Sequence, residues 1–195
     1  MMTSWHMVYL MTAAATMNTA VSSTGTAQHL SLPGTTFDGS ARTGTDTRQA
    51  RFRFLCSSNN GPNVTGVLSV DMEIPGFEQL RPVFDFIPFE GPDSHAGPLT
   101  TLRTNGARAT ATDRFTASGS IQGTGPVEAF ELDVTASRRD AKALRRLVAV
   151  LRALIDGPGQ LIWRQGNPKT GGTPLIANLK LAQTQADQLR TSLGP

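Results

Sequence analysis

Residues 50–73 read ARFRFLCSSNNGPNVTGVLSVDME and decide the fold class of the chain. Apolar side chains alternate with charged or polar ones on both sides of the turn-forming segment 57–63, which is the period of a half-buried strand. The apolar positions are even-numbered in both runs, so one hairpin buries both sets together. The same register places four charged side chains on the outer face: Arg51, Arg53, Asp71 and Glu73.

The rest of the chain repeats this short-strand texture. Val83–Ile87 is apolar on both faces except at Asp85, which predicts a strand covered on two sides. Other alternating runs lie at 107–121, 130–136, 161–163 and 175–181. The last two of these runs flank the loop 166–172 (GNPKTGG) and predict a hairpin. About eight short strands with turns between them predict a mainly β fold (α+β by count), an antiparallel β-sandwich or a partly open barrel.

Residues 137–158 (SRRDAKALRRLVAVLRALIDGP) break the period of two. Ser137 and Asp140 form a capping-box pattern, and Gly157-Pro158 stops a helix. One apolar stripe follows helical spacing: Leu144, Leu147, Val148, Leu151, Leu154 and Ile155. The pattern predicts an amphipathic helix at about 138–156 that packs on the sheet. A second, short C-terminal helix is indicated by Ala182, Ala186, Leu189 and Leu193.

The net charge of +3 arises in that helix. Residues 137–156 hold six of the 18 basic side chains and two of the 15 acidic ones, so the remainder has 12 against 13. Segment 71–93 holds six acidic residues and one basic residue. The six basic residues of the helix are the predicted partner-binding side chains: Arg138, Arg139, Lys142, Arg145, Arg146 and Arg152.

A basic helix face can be a solvated or internally paired surface, a docking site for another protein, or a surface for nucleic acid or lipid. This helix has no aromatic, Asn or Gln side chain, so nucleic-acid binding is not predicted. Peripheral membrane association stays open. Arg138 and Arg139 lie at the positive end of the helix dipole, where cations are unfavourable. We therefore expect acidic partners for them: Glu131, Asp133, segment 71–93 or an acidic partner chain.

The chain divides by composition into three parts. Residues 1–27 contain no Asp, Glu, Lys or Arg and run from an apolar stretch into small residues, which predicts a signal peptide and a periplasmic or extracellular location. The alternative is a disordered or docked N-terminal arm. Residues 28–49, rich in Thr, Gly and Ser, are predicted to be a flexible arm, and residues 50–195 a single β-rich domain. No run of eighteen apolar residues exists, so no integral membrane span is predicted.

Few residues could carry catalysis. Glu90, Asp93 and His95 fall within six residues and are candidate metal ligands. The same loop offers His95, Asp93 and Ser94 as candidate hydrolytic residues, although no G-x-S-x-G motif is present. Neither arrangement fixes a geometry, and no cofactor is predicted.

Cys56 is the single cysteine, which excludes an intramolecular disulfide. It alternates with Phe52 and Phe54, so a buried free thiol is predicted. A nucleophile and an intermolecular disulfide are the alternatives.

These patterns favour an exported, non-catalytic binding or structural module, a small accessory subunit of a periplasmic or cell-surface assembly whose partner is another protein, acidic in character. Two alternatives remain open. One is a hydrolytic or metal-dependent enzyme centred on Glu90, Asp93 and His95. The other is a virion or surface structural protein, since such proteins also use β-sandwiches with extended arms.

Overall fold

The computed structural model describes residues 34–57, 66–91, 97–123 and 128–193. Its strands are β1 (Thr35–Thr43), β2 (Asp46–Ser57), β3 (Val67–Pro75), β4 (Thr100–Gly106), β5 (Thr110–Phe115), β6 (Ser118–Gln122), β7 (Ala129–Ser137), β8 (Gly159–Gln165) and β9 (Leu175–Leu181). They form one antiparallel sheet in the order β5-β4-β8-β9-β1-β2-β3-β7-β6. The sheet curls into a half-barrel, so the mainly β, partly open barrel is confirmed.

Two helices accompany the sheet, α1 (Ala141–Ile155) and α2 (Gln183–Leu193). Both confirm the predicted helices. A 3₁₀ turn, Arg138–Asp140, precedes α1, and the N-cap is Asp140 rather than Ser137, because the Asp140 carboxylate accepts from the Ala143 N–H. The helix contacts β4, β5, β7 and β8, so it bridges strands from both ends of the sheet order. Within the described ranges, neither helix is long and apolar enough to cross a membrane.

The predicted hairpin of β2 and β3 is confirmed in its register. Phe52 pairs with Met72 and Phe54 with Val70, and all four side chains are buried. Its turn, residues 58–65, lies outside the described residues. The predicted C-terminal hairpin is confirmed as β8 and β9, where Trp163 is fully buried.

The prediction of a flexible arm is wrong for residues 35–49, which form β1 and the start of β2. This segment has few large apolar side chains, but β1 lies between β2 and β9 and pairs with both. Backbone hydrogen bonds to both neighbouring strands therefore stabilise β1, which buries few side chains. Phe37 and Ala41 are its buried apolar contacts.

The prediction of a strand at Val83–Ile87 is also wrong. The segment forms turns and leads into a 3₁₀ helix at Ile87–Phe89. A proline on each side removes backbone donors that a sheet would need. Phe84 and Phe86 are buried, whereas Val83 and Ile87 are exposed. Phe86 lies 4.8 Å from Phe130 of β7, measured between ring centroids, so aromatic packing replaces strand pairing.

Candidate functional site

The clearest uncompensated charge in the molecule lies on α1 and the turn before it. Five exposed basic residues have no ion pair or side-chain hydrogen bond within the part of the chain that the structure describes: Arg138, Arg139, Lys142, Arg145 and Arg152. We call these five residues the basic face. Their positions on one helix make a single positively charged surface.

Arg146, the sixth predicted residue, is engaged inside the chain. Its Nε donates to Asp113 Oδ2 at 2.7 Å, and its guanidinium lies 5.2 Å from the centre of the Phe115 ring. The Arg146 bond holds the pKa of Asp113 below its ordinary value. Arg146 therefore ties α1 to β5 and is not part of the basic face.

Three acidic residues of segment 71–93 are paired away from the helix. Arg53 of β2 donates through Nε to Asp71 Oδ2 at 2.9 Å and through Nη2 to Glu131 Oε2 at 3.0 Å. Two other acidic residues pair with arginines off the helix: Glu73 with Arg51 at 3.6 Å and Glu78 with Arg81 at 2.9 Å. The basic face consequently keeps its charge.

Asp133, the other expected partner of the helix N-terminus, is also engaged. Ser118 Oγ donates to Asp133 Oδ1 at 2.7 Å, and Thr135 Oγ1 lies 3.0 Å from Asp133 Oδ2. The expected pairing of Arg138 and Arg139 with Glu131 or Asp133 is therefore wrong, since other groups occupy both carboxylates. Within the described residues, no acidic side chain of segment 71–93 pairs with these two arginines either, which leaves the expectation of an acidic partner chain open.

Arg53, Asp71 and Glu131 form what we call the outer-face cluster, together with Ser69. Asp71 is 4% exposed and accepts from Ser69 as well as from Arg53. Burial raises the pKa of Asp71 in spite of both hydrogen bonds, and burial also raises the pKa of Glu131. The cluster joins β2, β3 and β7 across their outer face through hydrogen bonds among its own side chains. We interpret it as a structural clasp of the sheet.

A groove runs beside the basic face, between α1 and the ends of β2 and β3, with α2 at one end. Its volume is about 490 Å³, within the about 300–1,000 Å³ typical of ligand sites. Its apolar lining is Val67, Leu68, Leu144, Val148, Leu151, Ile155 and Leu193. Sequence periodicity placed the α1 residues on one buried stripe, yet Leu144, Val148 and Ile155 are only partly buried. The groove depends on contacts between distant segments, which no local pattern reports.

Cys56 lines this groove, and its prediction as a buried thiol is wrong. The residue is a free, exposed cysteine next to the last residue of β2. It shares a face with Phe52 and Phe54, as the alternation predicted, but it lies beyond the packed part of the barrel. Alternation gives the face of a strand and not the depth of a residue along it.

Most of the candidate catalytic and metal-binding loop lies outside the part of the chain that the structure describes. Asp93, Ser94 and His95 lie outside the described residues. Glu90 is exposed and forms a single β-bridge with Gly119. Over the described ranges, no three His, Cys, Asp or Glu side chains are placed to hold a metal ion.

No protein-family model, curated protein or solved structure matches the chain. Function therefore has to be inferred from the basic face and the groove.

Proposed function

We propose that the chain is an exported, non-catalytic binding module that docks on an acidic partner protein through the basic face. In this role it is a small accessory subunit of a periplasmic or cell-surface assembly. The observation that supports the proposal is the five exposed cations on α1 and the turn before it, while Asp71, Glu73 and Glu78 of the acidic stretch pair with other arginines.

The position of these charges is costly for the isolated chain. Arg138 and Arg139 precede α1, where the helix dipole already presents positive potential. Asp140 caps this end of the helix, so an approaching carboxylate is attracted by the arginine side chains, and such complementarity speeds association and selects the partner. Docking of an acidic surface therefore relieves a repulsion that the fold leaves in place.

The composition of the face favours a protein over a nucleic acid. Apart from arginine, it offers no planar side chain for base stacking, and it has no amide to read a base edge. A group of four arginines and one lysine suits carboxylates, which arginine binds in a bidentate manner.

Charge reversal on α1 tests the docking surface. The double variant Lys142→Glu/Arg145→Glu changes the basic face outside the groove, so it leaves the groove lining intact. We expect the full-length variant, isolated from native cells by an affinity tag, to recover an acidic partner protein about tenfold less than wild type does. Quantitative mass spectrometry of the co-purified proteins measures the ratio, and added salt should weaken the wild-type interaction.

The matched control is Arg103→Glu/Arg164→Glu, which makes the same charge change at exposed positions on β4 and β8. This control should recover the partner as wild type does. Equal loss in both double variants would show a net-charge effect and contradict a docking site on α1. The wild-type protein could instead sediment with phosphatidylglycerol vesicles, and only the α1 variant could abolish this. That result would show that the basic face binds a membrane surface and not a protein.

Export is tested by the mass of the mature chain. We expect cleavage between Ala20 and Ala27, since the apolar stretch passes into small residues there. Intact-mass spectrometry of protein purified from native cells should show the shortened chain in the envelope or secreted fraction. A chain retaining residues 1–27 in the cytosolic fraction would contradict export while leaving the docking surface in place.

A further inference from the structure

The groove has an apolar middle and charged ends. Leu144, Val148 and Ile155 line it along α1, and Leu193 of α2 closes one end. From Leu144 to Ile155 the helix rises about 16 Å, at about 1.5 Å per residue. The groove therefore exposes hydrocarbon along the length of this part of α1.

The two ends differ in charge. Arg138 lies at the end of the groove nearest the N-terminus of α1, beside Gly66, the residue before β3. It has no ion pair with any described residue. At the other end Arg152 is likewise unpaired within the described residues, but the groove lining there includes the carboxylate of Asp156, which repels an anion, and Arg190 is paired with Asp187 at 2.8 Å. An anion is therefore favoured at the Arg138 end, where a carboxylate can pair with the free guanidinium.

We infer that this groove binds a single-chain fatty carboxylate. The carboxylate contacts Arg138, and the hydrocarbon chain lies along Leu144, Val148 and Ile155 towards Leu193. The occupant combines the two features of the site, an uncompensated cation at one end and an apolar channel behind it. A volume of about 490 Å³ suits one acyl chain.

A peptide is a poorer occupant of the same groove. Its main chain carries one donor and one acceptor at nearly every residue, and buried groups of this kind need partners. The middle of the groove offers hydrocarbon from α1 on one side and from Val67 and Leu68 on the other. A hydrocarbon chain needs no hydrogen bonds there, so it fills the channel without leaving polar groups unpaired.

Cys56 supplies a direct reporter of occupancy, because it is the single cysteine of the chain and it lines the groove. The probe is tetradecanoate, added below its micelle concentration to the full-length protein, with calorimetry giving Kd. At ten times Kd, modification of Cys56 by a thiol-specific reagent should slow about tenfold, because only the empty groove reacts. Methyl tetradecanoate, which lacks the charge, should bind about tenfold more weakly, the loss of one charge-assisted contact.

Two pairs of variants locate the ligand. Val148→Glu places a charge in the channel and should abolish both binding and Cys56 protection, whereas Ala149→Glu makes the same change on the exposed side of α1 and should not. Arg138→Gln should weaken binding about tenfold, and Arg164→Gln on β8 should leave it unchanged. If Val148→Glu does not fold, as judged by circular dichroism, the arginine pair still decides.

Four results would overturn the inference. The first is no heat and no protection with tetradecanoate. The second is binding that Arg138→Gln and Arg164→Gln reduce equally. The third is a wild-type dimer, seen by light scattering, whose dissociation by Val148→Glu exposes Cys56, since a second copy of the chain would then occupy the groove. Phosphatidylglycerol vesicles that protect Cys56 when tetradecanoate does not would assign the groove to a two-chain lipid and likewise reject a single-chain ligand.

Discussion

Arg53→Met is expected to lower the free energy of unfolding by about 3 kcal/mol at pH 7, because it leaves a buried carboxylate without its counter-ion. Asp71 keeps only 5% of its side-chain surface exposed and lies 2.9 Å from Arg53. Methionine retains the apolar stem and removes the charge. The Arg53 side chain is one-third exposed, so the loss should fall at or below the lower end of the about 3–5 kcal/mol typical of a broken buried pair.

The cost of Arg53→Met should decrease as the pH falls. Burial raises the pKa of Asp71 and of Glu131, so the folded protein binds protons at a pH where the unfolded chain has released them. Stability contributed in this way is present at low pH and is lost as the pH rises through the folded pKa. Without Arg53 both carboxylates are harder to ionise. Urea unfolding at a series of pH values from 7 towards 4.5 should therefore show the variant approaching wild type.

Arg51→Met is the matched control, two residues away on the same face of β2. Arg51 is half exposed and lies 3.6 Å from Glu73, so its loss should cost less than about 1 kcal/mol, as is usual for a surface ion pair. The second variant Arg53→Met/Asp71→Asn should recover part of the stability at pH 7, because the buried charge is gone. Equal costs for Arg51→Met and Arg53→Met, or a cost of Arg53→Met that does not change with pH, would show that the outer-face cluster is not a clasp.

Half of this cluster could be predicted from sequence. Matching even-numbered apolar positions in β2 and β3 set the hairpin register, and that register brings Arg53 opposite Asp71. Glu131 joins from β7, which pairs with β3 across an interval of more than fifty residues. Alternation shows that β7 is a strand but not which strand it pairs with, so the third member could not be foreseen.

The two wrong secondary-structure predictions share a cause. β1 was missed because its stability comes from its neighbours, β2 and β9, and not from its own small side chains. Val83–Ile87 has the apolar pattern of a buried strand, but Phe86 packs on Phe77 and Phe130 from a turn. In both segments tertiary contacts override the local preference.

The charge balance of the two segments was visible in the sequence, but its outcome was not. Composition showed a basic helix and an acidic stretch, which could have neutralised each other. In the fold, Asp71 and Glu73 instead pair with arginines of β2, and Glu78 pairs with Arg81, which follows β3. Only the positions of these pairs distinguish an internally paired helix from one left open for a partner.

Gly106→Ala is expected to lower the free energy of unfolding by about 3 kcal/mol, the upper part of the usual range for overpacking. A Cβ at Gly106 would overlap the carbonyl oxygen of Ala153, in the last turns of α1. No rotamer change relieves a clash with backbone, so α1 has to move away from β4. Without a clash, alanine in a strand is more stable than glycine by about 0.5–1 kcal/mol. A net loss of stability is therefore attributable to the clash.

Gly159→Ala is the control for this position, because Gly159 of β8 is the direct register partner of Gly106. A Cβ at Gly159 would lie 3.3 Å from the nearest atom, the Leu154 carbonyl oxygen, which a small adjustment accommodates. Its cost should stay below about 1 kcal/mol, since the gain over glycine offsets part of the crowding. Urea unfolding of both variants gives the comparison. If Gly106→Ala were as stable as Gly159→Ala, α1 could not be seated on β4 as closely as this fold requires, and the groove on its other side would have a different width.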